Sequence, residues 1–525
     1  MGLYPLINDN MRGKSEFNYR VIVAPIFVIM SLSGLAFSLY ILYIANTLYL
    51  QFLGLGFTIL SFVSMIFGIA SALWYYKSYD YEKYFENMNK NLKKLDMKKL
   101  PTVAVVVPVY NEDSNMVEKS LQRLLEIDYD KSKLKFYLLD DSTNLKIRNE
   151  MKELCKKYKI NLILRGDRRG LKAGALNNFL KYSKEEFVAI FDSDEKLVNK
   201  GFLLDLLPFF KDKQVAYVQT EKTYARGNLF SDSVKVFDAV FYRFIQAARA
   251  LNNTAIFAGS CGIIRRAALD AVGNFPEYVV EDTFFSFECK RHGYKSVYVP
   301  KVYALGKPLK TFTEFAKQQW RYNYGGTQFF GYFLKKGEFT KRSALSNLDY
   351  LTHGFGLNYI SIVLVIYTLL SVGVILSALP IVHISVFSTR INSTIFGLEM
   401  LGLLSFSASL LTPLLLSRIY FRSWSKGLMV FFLNYSLAIV RTRAALATLL
   451  GGNDPGSGWD RLKIKTSKRE LLRSIANTKA EITFSGVLVI FAIIAYMRYN
   501  ISAATWIGFY AVMFSLATVF IYKYG

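Results

Sequence analysis

Cysteine and histidine are nearly absent from this chain, with three of each in 525 residues. Cys155, Cys261 and Cys289 show no metal-ligand spacing and no disulfide framework, which excludes a thiolate metal site and a cysteine-stapled scaffold and fits a reduced, cytosolic region. His292, His353 and His383 are scattered, so no chemistry is assigned to histidine. Acid is the scarcer charge: 40 Asp and Glu stand against 65 Lys and Arg, a net charge of +25. Nucleic-acid binding is one reading of such an excess, but the distribution argues against it. Basic residues crowd beside apolar segments, as in Lys90-Asn91-Leu92-Lys93-Lys94 and across 461–468. That is the positive-inside pattern, with affinity for anionic headgroups and phosphorylated ligands.

Charge is also missing from long stretches. Residues 21–44, 52–74, 357–379, 395–416, 482–497 and 501–522 are charge-poor and apolar, and a bilayer-spanning helix needs about 20 such residues. The loop at 45–51 has no charge and reads as extracytoplasmic. The lysine-rich stretch after Trp74 reads as cytosolic, which places the N-terminus and the polar region 95–349 inside. The segment 427–440 is a largely apolar run of fourteen residues before Arg441-Thr442-Arg443. That is short for a span, and counting it as one would turn the basic stretch 461–473 outward. The expectation is therefore an interfacial or re-entrant helix at 427–450. The count is six spans, with both termini cytosolic, in an integral plasma-membrane protein.

Between these spans the pattern changes to short apolar runs alternating with amphipathic stretches. Runs at 103–107, 135–139, 161–164, 187–191 and 215–218 read as strands and 173–181 as a helix between them. Such alternation predicts a mostly parallel α/β sheet covered on both faces, with ligands at the carboxyl ends of its strands. Polar groups cluster at those ends: Tyr110-Asn111-Glu112 after the first, Asp140-Asp141-Ser142 after the second, and Asp192-Ser193-Asp194 after the run at 187–191. Two hard oxygen ligands one residue apart can share a divalent cation and leave positions open for diphosphate oxygens. Alone, such acidic strings are usually solvated loops.

In company they are more telling. Val107-Pro108-Val109-Tyr110-Asn111-Glu112, Asp140-Asp141-Ser142, Gly170-Leu171-Lys172-Ala173-Gly174-Ala175-Leu176-Asn177, Asp192-Ser193-Asp194, Glu281-Asp282 and Gln318-Gln319-Trp320-Arg321-Tyr322 resemble, in order and spacing, the motifs of family-2 glycosyltransferases. With the flanking spans they look like the membrane-embedded processive branch of cellulose, hyaluronan, chitin and mannan synthases, loosely closest to the mannan synthases. The resemblance implies a GT-A-type nucleotide-sugar-binding domain inserted between transmembrane helices. It also implies a domain plan: membrane region 1–94, catalytic domain 95–310, interfacial helices 311–349, membrane region 350–525 with a gating loop at 451–473.

The resemblance further implies roles. Asp282 is the candidate base, with Glu281 orienting or capping beside it. Asp192 and Asp194 are the candidate ligands of Mg2+ or Mn2+. Tyr110, Glu112, Asp140, Asp141, Lys172 and Asp192 face the nucleotide sugar. Gln318, Trp320, Arg321 and Tyr322 face the diphosphate and acceptor, and Thr466 and Lys468 belong to the gating loop. Two positions depart from the pattern: Val280 stands for the usual threonine before Glu281, and Tyr322 for the tryptophan that stacks on the acceptor, which tyrosine can also do with less area. The expected activity is inverting transfer from a nucleotide sugar (GDP-mannose, UDP-glucose or UDP-N-acetylglucosamine) to a growing β-linked glycan at a lipid bilayer. The alternative is transfer of one sugar to a polyprenyl phosphate or glycolipid.

Overall fold

The structure, a computed structural model, describes residues 20–44, 48–92, 95–336, parts of 344–352 and 361–372, 413–418, 421–451, 474–497 except 476, and 501–524. Most of the expected spans at 357–379 and 395–416 lies outside the described residues, as do Thr466 and Lys468 of the expected gating loop. The chain divides into two compact units. One gathers Met1–Tyr76, Tyr359–Thr442 and Leu462–Gly525, the other Lys77–Asn358 and Arg443–Arg461.

Among the described residues of the first unit the apolar stretches are helical. Helix α1 runs Arg20–Ile44, and α2 begins at Leu48 and reaches Lys90. Among the described residues four helices are long and apolar enough to cross a membrane: Gly54–Lys90, Trp424–Leu449, Lys479–Met497 and Ala504–Tyr524. One of them bears on an expectation. The apolar run at 427–440 is short, but the helix that contains it has 26 residues, because it continues through Arg441 and Arg443. Arginine is a good helix former, so charge ends the apolar run without ending the helix.

The second unit is built on an eight-stranded sheet. Its strands are β1 Val103–Val109, β2 Leu134–Asp140, β3 Asn161–Leu164, β4 Phe187–Ile190, β5 Lys196–Leu197, β6 Val215–Tyr224, β7 Gly262–Arg265 and β8 Lys295–Gly306, in the order β3-β2-β1-β4-β7-β6-β8-β5. All five expected strands form. The sheet is mostly parallel, as expected: β1, β2, β3, β4, β6 and β8 run the same way, and two strands are reversed. β1, β2, β3 and β4 pair in parallel, but β7 runs antiparallel between β4 and β6, and β5 pairs antiparallel with β8.

The continuous apolar runs follow from burial on both faces. Val103, Val105 and Val107 pack into one core cluster with Leu121 and Leu124 of helix α3 (Ser114–Leu125) and Met151 of α4 (Leu145–Tyr158). Ala104 and Val106 point the other way, into a cluster with Leu176 and Phe179 of α5 (Leu171–Leu180). Gly170 occupies the N-cap position before α5, and its φ of +69° lies in the left-handed region. Gly174 lets the preceding loop close on the helix, since a Cβ there would strike the Arg169 carbonyl oxygen and the Arg165 guanidinium. Gly174→Ala is expected to destabilise the unit by about 1–3 kcal/mol through overpacking, read as a lower melting temperature of the detergent-solubilised protein. No change in melting would show that the loop yields freely.

Candidate active site

Strand β4 delivers Phe191 and then Asp192 to the carboxyl edge of the sheet. The Asp192 carboxylate is held from three sides. Lys172 Nζ, from the first turn of α5, donates to Oδ1 at 2.6 Å. Lys222 Nζ, near the end of β6, donates to Oδ2 at 3.2 Å, and Ser260 Oγ lies 2.8 Å from the same oxygen. Lys222 also contacts Ser260 Oγ and reaches Glu195 Oε1 at 3.2 Å. Burial pushes the Asp192 carboxyl up, but Lys172 and Lys222 outweigh it and hold the group far below the usual carboxylate range.

Asp194 stands differently. Its Oδ2 accepts the Lys307 backbone N–H at 3.3 Å, and burial, then Asp192 and Glu195, push its carboxyl up to about 6. Glu112 is raised by burial and by Asp194. Carboxylates that raise one another fit a divalent cation between them. Among the described residues no three Cys, His, Asp or Glu side chains form a complete ligand set, so remaining donors would be diphosphate oxygens or water.

Helix α10 (Glu281–Arg291) opens on the Glu281-Asp282 pair. Val280 occupies the N-cap position, so neither acid caps the helix; Asp282 Oδ1 instead accepts the Thr283 N–H at 2.7 Å. Gly259, at φ +80°, brings the pair to the lysine: a Cβ there would lie 3.0 Å from Asp282 Oδ2 and 3.6 Å from Lys172 Nζ. Burial raises both acids above the usual range. Glu281, beside Asp282, reaches about 7, while the Thr283 N–H and Lys172 pull Asp282 back.

The first two loops form one wall. Asn111, at φ 51°, donates its N–H to Ser142 Oγ at 2.9 Å and accepts the Thr143 and Asn144 N–H groups at 3.0 Å on its side-chain oxygen. Asp140 is fully buried, with Oδ1 accepting the Ser142 N–H at 2.8 Å. Asp141 binds both arms of Arg165, Nε at 2.7 Å and Nη2 at 2.5 Å. The Arg168 guanidinium stacks 3.4 Å from the centre of the Tyr110 ring.

Helix α11 (Phe312–Lys336) carries the last motif. Gln318, Arg321 and Tyr322 share one face at i, i+3 and i+4, and Gln318 Nε2 donates to Tyr224 Oη at 3.0 Å. Trp320 is not brought to this group. Two residues on from Gln318 it points to the opposite side, where it is buried beneath Arg443 at 6.0 Å.

Sequence reasoning missed Glu195, Lys222, Gly259, Ser260 and Arg165. Glu195 directly follows the acidic triplet and was open to notice. Lys222 was hidden because the apolar run of β6 ends at Val218, whereas the strand continues through six polar or aromatic residues to Tyr224.

Residues 187–439 match the family model described as Glycosyl transferase family group 2. That match covers 253 of the 525 residues, just under half of the chain, and likens this region to a glycosyltransferase family 2 domain. Among curated proteins it is similar to the cellulose synthase catalytic subunit [UDP-forming] of Pseudomonas fluorescens (strain SBW25), 31% identical over 244 residues covering 45% of this chain and 32% of that protein. It is also similar to the probable glucomannan 4-beta-mannosyltransferase 11 of Oryza sativa subsp. japonica, 30% identical over 243 residues, 44% of this chain and 42% of the relative. The matches therefore span less than half of either relative's length. A solved mannosyltransferase from Pyrobaculum calidifontis, in complex with GDP-Man and Mn2+, aligns over 74% of this chain and 99% of its own at 20% identity and a TM-score of 0.49.

Lys222 offers a direct check on the charge cluster. Lys222→Met leaves Asp192 and the buried Glu195 facing one another without their shared cation. The expected loss is about 2–3 kcal/mol, below that of a fully buried pair because the Asp192 side chain is 36% exposed. Lys222→Arg should retain most of it. Equal melting temperatures for Lys222→Met and the parent would refute the assignment.

Proposed function

We propose that this chain is a membrane-integral, inverting glycosyltransferase that moves a sugar from a nucleotide-sugar donor onto a growing β-linked polysaccharide. The observation that carries the reading is the convergence of Asp282, Lys172 and Asp192 around Gly259 at the carboxyl edge of the sheet. Transfer needs a neutralised leaving diphosphate, a deprotonated acceptor hydroxyl and an in-line arrangement of the two.

Asp282 takes the proton from the acceptor hydroxyl. Its raised pKa suits a base better than an ordinary aspartate would, because the proton-transfer driving force grows with basicity. Lys172 and Arg321 supply positive charge to the diphosphate. Glu112, Asp140 and Asp141 hold the nucleotide, with Tyr110 as an aromatic face. Asp192 and Asp194 would hold Mg2+ or Mn2+, which when bound spreads the negative charge of the leaving diphosphate. Tyr322 offers the acceptor sugar a stacking face, and its ring is 46% exposed. Attack by one activated hydroxyl on one face of the donor sugar inverts its configuration. Among donors, the likeness to a UDP-forming cellulose synthase and to a mannosyltransferase supports a UDP- or GDP-linked hexose. The spans on both sides of the domain suit export of the chain as it grows, with the catalytic unit and both termini in the cytosol.

Membranes bearing the protein, given Mn2+ or Mg2+ and a panel of labelled nucleotide sugars, should yield a high-molecular-weight product that Asp282→Asn abolishes. Removing a positioned base lowers the rate by about 10²–10⁴-fold. A short, lipid-extractable product lost in the same variant would instead identify transfer of one sugar to a lipid. A product unaffected by Asp282→Asn would reject the base.

The rate should also depend on pH in a defined direction. The base acts deprotonated, and burial raises the Glu281–Asp282 pair, so the acid limb of kcat should lie above the ordinary carboxylate range. A pH profile of the rate should show its acid limb displaced upward from that of an ordinary carboxylate; a limb at the ordinary position would count against the pair.

A further inference from the structure

One carboxylate near this site has no part in the steps above. Asp238 lies in the last turn of helix α7 (Leu229–Val240), where the backbone then widens into a π-helical turn at Phe241–Gln246. Such turns are rare and often mark functional sites. Among the described residues no hydrogen-bond donor reaches its buried Oδ2. Burial pushes the carboxyl up to about 7, with Lys222 pulling the other way. An acid oxygen desolvated without a donor is costly, and the natural relief is a donor brought in by a ligand.

The surrounding groups indicate which ligand. The charged and phenolic neighbours of Asp238 are Lys222, Tyr224, Tyr242 and Tyr322. Lys222 is occupied by Asp192, Glu195 and Ser260. Tyr224 Oη accepts the Gln318 side-chain N–H at 3.0 Å, which ties it to the same helix as Tyr322. Tyr322 is exposed on α11 and neighbours Asp282 as well as Asp238. Aromatic faces beside a carboxylate that lacks donors make a surface for a pyranose, which offers an apolar ring face and several hydroxyl donors.

We propose that Asp238 binds the acceptor: its Oδ2 accepts a hydrogen bond from a ring hydroxyl of the acceptor's terminal sugar while that sugar lies on Tyr322, which sets the attacking hydroxyl beside Asp282. The proposal rests on the glycosyl-transfer reading above. Asp238 touches the acceptor sugar but none of the reacting atoms, so its loss affects acceptor affinity ahead of donor affinity.

The test uses the full chain in detergent, the nucleotide sugar that supports transfer by the parent protein, and cello- and manno-oligosaccharides as added acceptors. Asp238→Ala should raise the acceptor KM about tenfold, the effect of one charge-assisted hydrogen bond, leave the donor KM unchanged and not lower the melting temperature. Asp238→Asn, which keeps the shape and one oxygen, should fall between; it carries the test if the alanine variant does not fold. Donor and acceptor KM rising together, or neither moving, would overturn the assignment. Transfer by the parent with an indistinguishable Asp238→Asn would defeat Asp238 alone. No transfer by the parent from any donor would defeat the glycosyl-transfer reading, and the assignment with it.

Discussion

The site depends on the pinning of one carboxylate. Asp192 emerges from a strand buried on both faces, where a charge without partners is not tolerated. Lys172, Lys222 and Ser260 meet that demand from three different segments: the start of α5, the end of β6, and the turn before β7. Each partner brings further chemistry. Lys172 draws in Gly259 and the Glu281-Asp282 pair, and Lys222 draws in Glu195 and the surroundings of Asp238. Among the described residues Asp194 accepts only the Lys307 backbone N–H, and burial, then Asp192 and Glu195, raise it.

The convergence follows from the direction of one strand. β7 runs antiparallel between β4 and β6, and its first residue, Gly262, lies opposite both Ile190 and Gln219. The residues that follow β4, those late in β6 and those that precede β7 therefore meet at one edge of the sheet. Had β7 run parallel, Ser260 and Gly259 would lie at the far edge. Close approach at this crossing also requires glycine: a Cβ on Gly262 would come within 2.7 Å of Phe257 and 2.8 Å of the Val218 carbonyl oxygen.

Helix α11 shows the same economy on one element. Gln318, Arg321 and Tyr322 form a polar face toward Tyr224 and Glu112, while Gln319, Trp320 and Asn323 are buried on the other sides. Nearby, Phe284 and Phe287 of α10 pack edge-on against Phe329. The helix that bears the proposed base and the helix that bears the proposed acceptor motif are thereby held together by apolar contact, leaving their polar faces free to differ.

Much of this was legible from residues alone. The five apolar runs, the position of Asp192-Ser193-Asp194 at the end of one of them, and the start of a helix near Lys172 all followed from local pattern, because strand burial and helix periodicity are set by neighbours in sequence. The Glu281-Asp282 pair was visible as a motif, and the structure adds that neither residue spends itself as an N-cap. What the chain alone could not reveal was which charges would meet. Lys222 lies in a polar stretch that no strand pattern marks, Ser260 and Gly259 in an ordinary-looking turn, and Asp238 on an unremarked helix. Their proximity depends on the antiparallel insertion of β7, a long-range pairing with no local signature. Trp320 and Tyr322 make the same point: composition gave both aromatics equal standing beside Arg321, and only the helix's orientation against its neighbours put one in the core and the other at the site.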